Sequence, residues 1–135
     1  MTGLSRREKL RVALEAAQGK GAEDPLALDV REVASFTDTF LILTGRSDRQ
    51  VRAIADAVEQ VLVECGEQPI GSEGQEEGRW VLLDFADLIV HVFQREVRDD
   101  YALERLWADA AVIALAGAGE RKAEAKAAPA KNVVR

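Results

Sequence analysis

The sequence predicts a small single-domain α/β (α+β) fold, a mixed β-sheet flanked by helices, on three observations. Short runs rich in Val, Leu, Ile and Phe at Phe40–Thr44, Trp80–Phe85 and Leu88–Phe93 have strand length. Leu4–Gln18 and the segment after Ser47 repeat apolar residues at helical spacing. The strand runs are nearly continuous in apolar residues rather than alternating, the pattern of strands covered on both faces. A length of 135 residues suits one domain, and 47% apolar residues supply an ordinary core.

Leu4–Gln18 reads as a first helix. Ser5 and Glu8 have capping-box spacing, Leu10, Ala13, Leu14 and Ala17 form its apolar face, and Gly19 and Gly21 end it. Pro25–Arg31 alternates, with Leu26, Leu28 and Val30 on one face, as a strand does. Glu32–Asp38 is polar and irregular, and Phe40–Thr44 is an interior strand. Ser47 caps the clearest helix, with Gln50 completing a capping box. Val51, Ile54, Ala55, Val58, Leu62 and Cys65 share its inner face, and Gly66 stops it. Ile70–Arg79 is Gly-rich and acidic, a mobile loop with a short strand near Pro69–Ser72. Trp80–Phe85 and Leu88–Phe93 form an antiparallel pair around a turn at Asp84–Asp87, with Leu88–Phe93 at the centre of the sheet. Tyr101–Ala110 has helical spacing in Leu103, Leu106, Trp107 and Ala110. The domain is read as residues 1–112. Residues 113–135 are read as a helix end followed by a low-complexity Ala, Lys and Glu tail.

Charge and cysteine usage narrow the function. The net charge is −6, yet residues 118–135 carry +3, which leaves −9 on residues 1–117. So acidic a body repels a phosphate backbone and favours a basic protein; only the basic tail suits weak contact with nucleic acid. Cys65 is the single cysteine, so there is no internal disulfide and no Cys cluster for a metal. No run reaches the ~18 apolar residues of a membrane span, and the first ten residues lack an apolar signal core. A cytoplasmic protein with no membrane partner is the expectation.

Catalytic signals are sparse. His91 is the only histidine and lies inside the most apolar run, where a hydrogen-bonded core residue is a simpler reading than a ligand or base. Gly45-Arg46-Ser47 entering a helix, with Asp84 and Asp87, would suit a metal-dependent nucleotidyltransferase. Capping is the stronger explanation of Ser47, and turn chemistry explains both aspartates. No cofactor, metal or catalytic residue is therefore assigned. Trp107 suits core packing on a helix. Trp80, after a polar Gly-rich loop, suits either the core or a binding surface.

Four stretches in register resemble the ribosomal silencing factor (RsfS, Iojap-like) family. They are Ser35-Phe36-Thr37-Asp38 through Gly45 with Ser47, Arg49-Gln50-Val51 and Ala53-Ile54-Ala55-Asp56; Glu73-Gly74 with Gly78 and Trp80–Asp84; Asp87–Phe93; and Tyr101–Trp107. The resemblance implies a nucleotidyltransferase-like fold without enzymatic activity. It implies binding to the large ribosomal subunit through ribosomal protein fourteen and steric blocking of subunit joining, lowering translation when nutrients are short. A role in large-subunit assembly and a homodimer are also implied. Carried over by position, the partner-binding residues would be Glu73, Trp80, Phe85, Asp87 and Tyr101. Two positions depart from the family pattern. Ala86 stands where a turn glycine is usual, at about 1 kcal/mol if φ is positive there. Thr39 replaces a bulkier residue.

Overall fold

The computed structural model describes residues 4–101 and 109–115; Tyr101 is described without its side chain. The elements run α1 (Arg6–Gly19), β1 (Glu23–Asp29), β2 (Thr39–Gly45), α2 (Asp48–Glu64), β3 (Gly71–Glu73), β4 (Trp80–Asp84), β5 (Leu88–Gln94), α3 (Arg95–Tyr101) and β6 (Ala111–Ile113). One six-stranded sheet has the order β3-β4-β5-β2-β1-β6. Only β2 and β5 pair in parallel; the other neighbours are antiparallel. The α/β expectation holds, with β5 and β2 central.

Local chemistry fixes both long helices as the sequence predicts. Ser5 and Glu8 form the reciprocal capping box of α1. Its C-terminus closes on Gly21 at φ +87°, with Gly21 and Ala22 N–H donating to the Gln18 and Ala17 carbonyls. α2 ends the same way on Gly66 at φ +97°, with Gly66 and Glu67 N–H donating to Val63 and Leu62. This is the Schellman pattern, in which glycine takes the left-handed position. At the start of α2 the expected box is modified. Ser47 Oγ accepts from Gln50 N–H, but the Gln50 amide oxygen accepts from Arg46 N–H, one residue before the cap.

Both helices pack on one sheet face. Leu10, Ala13, Leu14 and Ala17 of α1 and Val51, Ile54, Val58 and Leu62 of α2 meet Leu41, Leu43, Val81, Leu83, Val90 and Val92. Each fully buried large apolar side chain contributes about 2 kcal/mol of transfer free energy. The other face gathers Leu26, Leu28, Val30, Phe40, Ile42, Ile89 and Phe93, with Val97 of α3 over it. The expected Cys65 on the inner face of α2 is corrected: it is the C-cap and only partly buried.

Three further expectations change. β1 begins at Glu23 and ends at Asp29, earlier than expected, because the N–H of Val30 turns to the Asp38 carbonyl. Residues 111–113 form β6 against β1, and Leu115 is 3% exposed in the core. The fold thus runs past the expected boundary at 112, with a strand where a helix end was read. The acidic loop after β3 is held rather than loose: Arg52 of α2 donates to the Glu76 carbonyl. A Cβ on Gly78 would come within 2.8 Å of the Asp48 carbonyl oxygen. The tail at 118–135 and most of the expected helix at Tyr101–Ala110 lie outside the described residues.

The β4–β5 turn confirms the geometric concern over Ala86, whose φ is +74°. Asp87 N–H donates to the Phe85 carbonyl at 2.9 Å, which makes a three-residue γ-turn centred on Ala86. Asp84 Oδ1 accepts from Ala86 N–H at 2.9 Å and steadies it. Ala86→Gly removes the left-handed strain but loosens the unfolded chain. The net expectation is a gain of about 0.5–1 kcal/mol, or ~2–4 °C in Tm by calorimetry. A fall in Tm would show that the turn carries no strain.

Candidate partner-binding face

The register of the sheet decides which candidate residues stand together. In β4 the burial alternates: Val81 and Leu83 are buried, Trp80, Leu82 and Asp84 partly exposed. The apolar run Trp-Val-Leu-Leu concealed this period of two, because both faces of β4 carry apolar residues. Trp80, Leu82 and Asp84 share the face opposite α1 and α2. Glu73 pairs directly with Leu82 and so stands on that face too, exposed at the edge of the sheet. Across β5, Trp80 pairs with Phe93 and Leu82 with His91.

The indole of Trp80 is fixed from below. It stacks on Phe93 with ring centroids 4.8 Å apart at 30°, and its Nε1–H donates to His91 Nδ1 at 3.1 Å. His91 in turn meets Phe40 edge-on at 4.8 Å. The backbone below Trp80 is equally constrained. Gly74 has φ +91°, and a Cβ there would collide with the Trp80 carbonyl oxygen. Phe36, 59% exposed, stands 6.2 Å from Phe40.

Phe85 and Asp87 do not join this face. Phe85 is 3% exposed and packs with Val81 and Leu83 in the helix-side core. The carry-over of Phe85 to the partner-binding surface beside Trp80 is therefore corrected: its side chain lies in the helix-side core. The Asp87 carboxylate, half exposed, binds Lys9 of α1 at 2.6 Å. Lys9 also reaches Glu67 at 3.0 Å and is only 7% exposed. Burial pulls its pKa down, but the hydrogen bonds to Asp87 and Glu67 outweigh it and hold the ammonium above its usual value. Tyr101 is the last described residue of α3, and its side chain lies outside the described residues.

The side chains considered for nucleotidyl transfer are engaged in the fold. Ser47 Oγ caps α2, Asp84 Oδ1 holds the turn, and Asp87 holds Lys9. At the α2 N-terminus the N–H groups of Arg46, Arg49, Gln50 and Val51 donate to Gln50, Asp48, Ser47 Oγ and the Ser47 carbonyl. Among the described residues, no three His, Cys, Asp or Glu side chains gather as metal ligands. No helix among them is long and apolar enough to cross a membrane.

The sequence signature described as "Ribosomal silencing factor during starvation" matches residues 4–135. The chain belongs to the ribosomal silencing factor family. It is 41% identical to ribosomal silencing factor RsfS of Halalkalibacterium halodurans over 84% of this chain and 97% of that protein. Against the RsfS of Bacillus subtilis the identity is 44%, over 79% and 91%. A more distant relative is the mouse "Mitochondrial assembly of ribosomal large subunit protein 1", 29% identical over 65% of this chain and 40% of that protein. A crystal structure of a Chromobacterium violaceum protein superposes with a TM-score of 0.75 at 35% identity, covering 88% and 98%. The fold is that of ribosomal silencing factors.

Sequence reasoning missed Leu82 and Lys9. Leu82 looked like core because its neighbours are apolar. Lys9 and its two carboxylates are separated by 58 and 78 positions, and no local pattern reveals such a pairing.

Proposed function

We propose that this ribosomal silencing factor represses translation by binding the large subunit through ribosomal protein fourteen and sterically blocking the small subunit when nutrients are limiting. The observation that carries this is the face of Trp80 and Leu82, partly exposed and flanked by the carboxylates of Glu73 and Asp84. An aromatic anchor with an acidic rim complements a basic ribosomal protein. The −9 body disfavours rRNA as the docking surface. The reading is non-enzymatic, cytoplasmic and without cofactor. Glu73 and Trp80 carry it; Tyr101, in α3, belongs to it by position in the family. A homodimer fits the same reading, and light scattering that gives a monomer mass at high concentration would remove it.

Sucrose-gradient sedimentation with purified subunits tests the proposal. Wild-type protein is expected to travel with the large subunit and deplete joined ribosomes. Trp80→Ala is expected to weaken that binding by ~30-fold or more, as loss of a central aromatic does. Protein that stays at the top of the gradient while ribosomes join normally would leave only a family likeness. The name of the mouse relative favours a second reading, a large-subunit assembly factor on the same surface. Accumulation of immature large subunits in a deletion strain, with normal repression in starvation, would favour it.

A further inference from the structure

His91 is a poor choice for its site if packing were its only task. It is 5% exposed, in the middle of β5, between the rings of Phe40 and Phe93. Since Nδ1 accepts from Trp80, the neutral ring carries its proton on Nε2. That Nε2 is buried with no hydrogen-bond partner among the described residues. A leucine or phenylalanine would fill the space without a desolvated N–H, which is costly. What histidine supplies and they do not is the acceptor for the Trp80 indole.

We infer that His91 is a positioning residue: its Nδ1 locks the Trp80 indole in the orientation that the docking face presents. This rests on the proposed role of the Trp80 face. The indole sits on a strand one place from the sheet edge, partly exposed and stacked on Phe93, and a stacking contact constrains a ring's plane more than its direction within that plane. The directional N–H bond removes that freedom before the partner arrives, so less order is lost on binding. His91 touches no partner in this scheme and acts through Trp80.

Two measurements on the full chain test this. Proton–nitrogen NMR separates the two indole signals, and Trp80→Phe identifies the one from Trp80. In His91→Leu that signal is expected to move to the position of a water-exposed indole. Affinity for purified large subunits is expected to fall about tenfold with no drop in Tm at pH 7. His91→Asn, whose Oδ1 stands where Nδ1 does, is expected to restore the indole signal and bring affinity within about twofold of wild type. An unmoved indole signal or full affinity in His91→Leu overturns the inference. So does a His91→Asn variant with the wild-type indole signal and no binding. If wild-type protein does not bind large subunits, the docking proposal fails, and the indole signal decides the positioning role by itself.

Discussion

Arg98→Ala is expected to lower the unfolding free energy by about 3–4 kcal/mol, read as the urea midpoint at pH 7. Over its described residues, Arg95–Tyr101, α3 is held to the sheet by buried side chains. Its attachment comes from Val97, 3% exposed, and Arg98, 4% exposed. Arg98 Nη1 donates to the Asp24 carbonyl and to Thr44 Oγ1, both at 2.6 Å. Asp24 has φ +48° and lies where the β1–β2 register slips, so its carbonyl is aimed by the bulge. Truncating Arg98 leaves the fully buried Thr44 hydroxyl without this donor and opens a cavity beside it.

Arg95 provides the internal comparison. It pairs with Glu23 at 3.1 Å and Asp24 at 2.6 Å, but its side chain is 41% exposed. Water screens such a pair, so Arg95→Ala is expected to cost under ~1 kcal/mol. Arg98→Lys keeps the charge but not the guanidinium fork and should recover only part of the loss. Equal effects of Arg95→Ala and Arg98→Ala would show that the buried bonds do not hold α3 to the sheet.

Arg98 also shows why part of this molecule was illegible in its sequence. Its charge gives no sign of burial, and its partners are 54 and 74 positions away. Elements defined by near neighbours were legible. α2 followed from Ser47, the spacing of Val51 to Leu62, and Gly66. The β4–β5 pair followed from its composition and the Asp-rich turn. The face of β4 did not, because a strand apolar on both sides gives no alternation to read. β6 is three residues in an alanine-rich stretch, too short to rise above its surroundings. Of the candidate site, only the spatial grouping of its residues can be compared with the fold. Trp80 and Glu73 stand together by register, while Phe85 and Asp87 turn towards the helices.

His91 also sets the largest expected pH effect on stability. Burial, the only cause, pushes its pKa down from 6.5 to about 4 in the fold. Between those values the unfolded chain binds a proton that the folded chain excludes, so stability falls as pH falls from 6.5 towards 4. The gap corresponds to about 3 kcal/mol as an upper figure. The second acid window lies lower. Arg31, bonded at 2.7 Å, holds the Asp29 carboxyl at about 2, so its contribution, present above 3.8, is lost only as pH drops through about 2. The two windows separate the two groups. His91→Leu is expected to flatten urea midpoints between pH 6.5 and 4 and leave the steeper loss below 4 intact. Protonation of Nδ1 also breaks the bond from Trp80, so the wild-type indole NMR signal should change in the same window, towards pH 4. A His91→Leu profile parallel to wild type from pH 6.5 to 4 would mean that the histidine is solvated in solution and that its ring does not hold the indole.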